Sequence, residues 1–209
     1  MAKRKSTNIS GSAYVILLQD HFEVLRRAYE SFLVWEYFSE LLFGVHRGEP
    51  EYPRVHFFSP LLIANVSAAF DSFVINLYKF HDKQSHTLDN LVDVGVKRGR
   101  ISLYLETRIR KKIKDAGAFA ANKDIKSLRN RSVGHYRVTN EERSRSPLTA
   151  VDPTPNEIRD YFVKISEILQ LCASQAPLSH SPFQYNQFER RITDTARMVM
   201  SYFRGGRAS

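Results

Sequence analysis

The chain has 209 residues, 43% of them hydrophobic, with 14 Phe, 10 Tyr, 9 Gly and 8 Pro. This excludes fibrous and low-complexity classes and gives the expectation of one globular domain over residues 1–209 with an aromatic-rich core. The single cysteine, Cys172, excludes an internal disulfide and a cysteine-built zinc site, and fits a reducing cytoplasm. The formal net charge of +9 is concentrated, since Lys97 to Arg145 holds 15 Lys+Arg against 5 Asp+Glu and the rest of the chain 16 against 17. A focused positive field is the footprint of a polyanion-binding face; the bland alternative is a helix face kept basic for solubility.

In chain order, residues 1–11 read as a basic tail. The apolar run after it, Ala13 to Leu18, is cut short by Gln19 and Asp20, so it does not read as a signal peptide. From Ser12 to Phe43 apolar residues recur at helical spacing (Val15, Leu18, Phe22, Leu25, Tyr29, Phe32, Leu33), which predicts one long helix or two in tandem. Gly44 ends it, and Gly48, Pro50 and Pro53 mark a loop. Phe32, Trp35 and Phe38 are surplus rings expected at an interface between copies.

Ser59-Pro60 reads as a helix start running to about Phe80, with Leu62, Val66, Ala69, Phe73 and Leu77 facing the core. Ser67, Asp71 and Tyr78 form a second stripe. A carboxylate in so apolar a helix is costly to bury alone. Asp71 therefore faces either water or a cation, and Arg129 is one candidate. No segment approaches the ~18 uninterrupted apolar residues of a spanning helix, the best being Leu61 to Phe70. The expectation is a soluble protein with no membrane partner. His81, Asp82 and His86 straddle a turn without metal-site spacing, so no metal is expected.

Thr87 opens a short helix to about Val94, and Gly95 and Gly99 punctuate the chain before a basic helix from about Arg100 to Lys114. There Ile101, Leu105, Ile109 and Ile113 keep one side apolar, which leaves Arg108, Arg110, Lys111, Lys112 and Lys114 for solvent or a ligand. Ala118 to Val133 reads as the next helix. It leads into Leu128-Arg129-Asn130-Arg131-Ser132-Val133-Gly134-His135-Tyr136. A guanidinium clamps phosphate oxygens bidentately, and an imidazole moves protons near neutral pH. Gly134 allows the chain to leave the helix and turn His135 toward Arg129. The bland reading makes the arginines cations at a helix's negative end and His135 an exposed residue beyond it.

Residues 136–153 read as a loop. Thr154-Pro155-Asn156-Glu157 is a capping box that starts a helix with Ile158, Tyr161, Phe162, Ile165 and Cys172 inward. A last helix runs from about Phe183 to Phe203, and 204–209 is a tail. The expected class is all-α.

Phe57-Phe58-Ser59-Pro60, then Tyr78-Lys79-Phe80-His81-Asp82, then Arg129-Asn130 followed by His135 within an Arg-x(4 to 6)-His pattern, make the chain resemble the HEPN superfamily. Within it, the chain resembles the AbiU-like branch linked to abortive infection, over roughly Leu33 to Tyr136. The resemblance implies an antiparallel helical bundle, here with additional C-terminal helices, that pairs as a homodimer. It also implies a cofactor-independent and metal-independent ribonuclease, often a toxin or phage-defence effector with an antitoxin or defence partner protein.

By the same resemblance, Arg129 holds the scissile phosphate, Asn130 orients it and His135 is general base or acid. Asp71, Arg131 and Tyr136 are candidate supporting residues. Arg108, Arg110, Lys111, Lys112, Lys114, Lys126 and Arg137 are candidate RNA contacts. The place of a tyrosine modified by antitoxins in some members is taken by Arg137, with Tyr136 one residue early. A rival reading keeps the basic face and drops catalysis, leaving an RNA-binding or protein-interaction module.

Overall fold

In the computed structural model, residues 7–81, 87–123, 125, 129, 153–174 and 185–203 are described, and every element among them is an α-helix. They are α1 (Thr7–Gly44), α2 (Tyr52–Lys79), α3 (Leu88–Lys97), α4 (Leu103–Asn122), α5 (Pro155–Ala173) and α6 (Tyr185–Phe203). The expected all-α class holds. The chain groups into two compact units, one of Met1–Arg26 with Ile75–Phe183 and one of Arg27–Val74 with Gln184–Ser209.

The second unit is built on the later part of α1, most of α2, and α6. Phe32, Trp35, Phe70 and Phe73 are all buried. Phe73 meets Phe32 edge-on at 5.8 Å and Phe70 edge-on at 5.0 Å, the geometry that ring quadrupoles favour. A hydroxyl pair, Ser31 and Ser72 at 2.8 Å, lies beside them. Further along, Leu41 packs with Val55 and Leu62, and Phe38, Phe58 and Val199 close over that cluster. Within this unit Ser31 and Phe32 of α1 meet Ser72 and Phe73 of α2, while Leu41 further along α1 meets Val55 and Leu62 further back in α2, so the two helices run antiparallel. The Tyr37 hydroxyl at 2.7 Å from Thr193 Oγ1 joins α6 to them.

Two sequence expectations change here. Phe32 and Trp35 are core residues and Phe38 is half-buried against the apolar cluster, so none of the three is surplus. The start of α2 lies at Tyr52, seven residues before Ser59, and Pro60 sits inside the helix. Proline lacks the N–H that would bond to the carbonyl four residues back. Here that carbonyl belongs to His56, and Ser59 Oγ donates to it at 2.8 Å. The hydroxyl expected to cap a helix instead repairs one. α2 is also long and apolar enough, by length and composition, to cross a membrane, with 33% of its most apolar window buried.

The first unit contains the start of α1 with α3, α4 and α5. α3 and α4 form a hairpin through Gly99, whose φ of +63° is a left-handed turn position. Gly95 belongs to α3 and does not break it as expected. Its role is close approach, because a Cβ there would lie 2.5 Å from Ile101 Cδ1 and 2.9 Å from Tyr14 Cε2. Ser102 caps α4 by accepting from Leu105 N–H, and Thr87 caps α3 by accepting from Asn90 N–H. α4 continues to Asn122, so Ala118 and Phe119, read as part of the motif helix, belong to its last turns.

α5 starts with the expected capping box, in which Glu157 N–H donates to Thr154 Oγ1 and Thr154 N–H to Glu157 Oε2. Lys112 pairs with Glu167 at 2.6 Å and Lys123 with Glu157 at 2.7 Å, so α4 and α5 are antiparallel. The Tyr14 hydroxyl donates to the buried backbone carbonyl of Cys172 at 2.8 Å, tying α1 to α5. Burial pushes the Cys172 thiol up to about 12, leaving it protonated and unreactive. The helix start at Thr7 falls within the expected 1–11 tail, while residues 136–152 and 204–209 lie outside the described residues.

Candidate functional site

The described part of the motif is Arg129, a helical, half-buried residue. Its guanidinium carbon lies 5.0 Å from the centre of the Tyr78 ring, a cation–π distance. Tyr78 stands in the last turn of α2, where the second stripe read from the sequence ends. A ring face under a guanidinium restrains the plane of the fork, and the edge of that plane is the side that meets a phosphate. Asn130, Arg131, His135, Tyr136, Arg137 and Lys126 lie outside the described residues. Asp71 is half-buried on α2.

One turn beyond Tyr78, His81 places Nε2 in hydrogen-bond contact with the hydroxyl of Tyr161 on α5. Phe119 of α4 stacks on Tyr161 at 5.0 Å, and Lys164 Nζ stands 5.7 Å from the Phe119 ring. Burial lowers the imidazole to about 4 against a smaller upward pull from Asp89, and burial raises Tyr161 above its ordinary value. Both groups are neutral at pH 7. The pair therefore pins the end of α2 to α5 and holds no proton to exchange near neutrality. Sequence reading missed it because the partners are 80 residues apart and Tyr161 read as ordinary core.

The basic residues of α4 divide into two sets. Arg110 is engaged three times over: with Asp93 at 2.5 Å and Asp89 at 3.2 Å on α3, and with Glu106 at 2.8 Å on its own helix. The hydrogen bonds to Asp93 and Glu106 raise its already high pKa further. Lys112 is held by Glu167. These cations join helices. Arg108, Lys111 and Lys114 are exposed and have no hydrogen-bond or ion-pair partner among the described residues. No group of three or more His, Cys, Asp or Glu placed to hold a metal occurs among the described residues.

Comparison with known families agrees with this all-helical arrangement. The family model described as AbiU2, a HEPN family, matches residues 16–199. The chain belongs to the AbiU2 family of the HEPN superfamily. The matched span takes in α5 and nearly all of α6, beyond the Leu33 to Tyr136 stretch that carried the resemblance in the sequence. No curated protein and no solved structure matches the chain.

Proposed function

We propose that the chain is a metal-independent HEPN endoribonuclease acting in toxin or phage defence. In this reading Arg129 binds the scissile phosphate, Asn130 orients it and His135 moves the proton. The 2′-hydroxyl of the RNA attacks phosphorus and gives up its proton, the bond to the 5′-oxygen breaks, and that oxygen leaves protonated. The products are a 2′,3′-cyclic phosphate and a 5′-hydroxyl, with no cofactor required. Family membership carries the reading, and the Arg129 to His135 stretch lies within the matched span 16–199. The position of Arg129 over Tyr78 supports it, since the ring restrains the orientation of the guanidinium.

The test is cleavage of bulk RNA by purified protein in excess chelator. His135→Ala is expected to lose ~10²-fold or more in cleavage while keeping RNA affinity. Arg129→Lys is expected to remain inactive, because a point charge does not reproduce the bidentate fork. Wild-type rates from the His135 variant would end the enzymatic reading. Activity abolished by chelator would make the protein a metal nuclease instead. A second reading, an RNA-binding module without turnover, draws on the partner-free cations of α4 and predicts binding without cleavage in the same assay.

A homodimer belongs to the same proposal, and an exposed apolar line on α2 supports it. α2 exposes Phe57 (77%) and Leu61 (60%), followed by exposed Ala64 and Ala68, a 4-3-4 spacing that matches a helix-pairing seam. Sedimentation as a monomer at micromolar concentration, with and without RNA, would remove it. A cytoplasmic setting without membrane insertion belongs to the same proposal. Half-buried Asp71 and buried Asn76 within α2 support it, since a carboxylate at mid-membrane depth costs about 3 kcal/mol. An antitoxin or defence-system partner is part of the proposal through the family's link to abortive infection.

A further inference from the structure

The first turn of α4 exposes two large apolar side chains side by side, Leu103 at 76% and Tyr104 at 81%. Single exposed apolar residues are ordinary, but an adjacent pair on a helix whose inner face is otherwise well packed calls for an occupant. The chemistry around the pair is specific. At 100° per residue, Tyr104, Arg108 and Lys111 lie within about 60° of one another on one face, and the two cations follow the ring by about 6 Å and 10.5 Å along the axis. Both are exposed, and neither has a partner among the described residues.

From Lys97 to Lys123 the sequence carries nine Lys+Arg against two Asp+Glu. Arg110 is turned away from this face and spent on Asp89, Asp93 and Glu106, which fixes α4 against α3 and so holds the ring in place. The charge favours an anionic occupant, and the ring favours one with a flat π-face.

We infer that Tyr104 is a stacking platform for a base of single-stranded RNA, whose flanking phosphates are met by Arg108 and Lys111. The surface is a binding site distinct from the Arg129 motif. It rests on the reading of the chain as an RNA-acting protein, but not on catalysis. Stacking of this kind tolerates any base, because every base has a π-face. It therefore supplies grip and register on the strand without sequence choice.

The experiment measures binding of 12-nucleotide oligouridylate and oligoadenylate, and of inorganic polyphosphate, to the full chain carrying His135→Ala so that turnover does not intrude. Tyr104→Ala is expected to weaken both oligonucleotides roughly 5- to 100-fold, to leave polyphosphate binding unchanged, and to keep the salt slope. Tyr104→Phe, which keeps the ring, is expected to stay within about twofold of the parent. Arg108→Glu with Lys111→Glu should weaken oligonucleotides and polyphosphate alike and flatten the salt dependence.

Unchanged oligonucleotide binding in Tyr104→Ala overturns the inference, as does an equal loss toward polyphosphate. A Tyr104→Ala effect confined to self-association in sedimentation reassigns the pair to a protein contact and also overturns it. Absence of cleavage by the wild-type protein would remove the ribonuclease reading while leaving these binding outcomes to decide the platform separately.

Discussion

Two aromatic clusters are built partly from the same helix, and they do different work. In one unit, Phe70 and Phe73 of α2 join Phe32 and Trp35 of α1 in a slab of buried rings. In the other, the last turn of α2 supplies Tyr78 and the turn after it His81, whose rings face a guanidinium and a hydroxyl. The first cluster removes apolar surface from water and has little tolerance for lost volume. The second holds polar groups in fixed places, and its energetics depend on charge state. Aromatic content alone thus says nothing of role; the group that each ring faces decides it.

The comparison is broken most forcefully in the slab. Phe73→Ala, which removes a fully buried ring touching three others, is expected to destabilise by about 3–5 kcal/mol, read by denaturant unfolding and showing no dependence on pH between 4 and 7. A loss below ~1 kcal/mol would mean that the slab is not a packed core.

The second cluster should show the opposite dependence. His81 is depressed to about 4 in the folded chain from an ordinary value of 6.5, so the unfolded chain takes up its proton first. Stability from this group is full above pH 6.5 and is lost as pH falls toward 4. The loss is on the order of 3 kcal/mol. His81→Gln should flatten the profile over that window, and an unchanged profile would refute the assignment.

The smallest effect separates the ring face of Tyr78 from its hydroxyl. Tyr78→Leu keeps apolar bulk but removes the π-face beneath Arg129, and is expected to weaken RNA cleavage by a factor equivalent to about 0.5–2 kcal/mol while Tyr78→Phe retains activity. Equal losses in both would point to the Tyr78 hydroxyl in place of the ring face.

Much of the fold was legible because its signals are local. The capping box at Thr154, the inward stripe from Leu62 to Leu77 and the end of α1 at Gly44 each follow from residues within a turn or two. The errors arose where a local signal had a second physical use. Ser59-Pro60 has the composition of a helix start, yet its hydroxyl serves the His56 carbonyl inside α2. Gly95 has the composition of a break, yet α3 runs through it because Ile101 and Tyr14 need the space.

For the candidate site, Arg129 and the stripe leading to Tyr78 were readable as patterns, but their meeting was not, since nothing in either stretch encodes the other. The division of α4's cations into engaged and partner-free sets was equally hidden. It depends on where Asp89, Asp93 and Glu167 fall across neighbouring helices.

The capping box of α5 has a consequence for how that helix is aligned with α4. Thr154, Pro155 and Glu157 define the first turn from within, and the Glu157 carboxylate, drawn well below its usual range to about 2 by Lys123 and the Thr154 backbone, stays charged down to strongly acidic pH. The start of the helix is therefore set by its own first residues. Tyr161 and Glu167 thereby keep fixed heights along α5, opposite Phe119 and Lys112 of α4. The first turn of α5 is in this sense an index mark: it fixes which residue of the helix stands opposite which residue of α4.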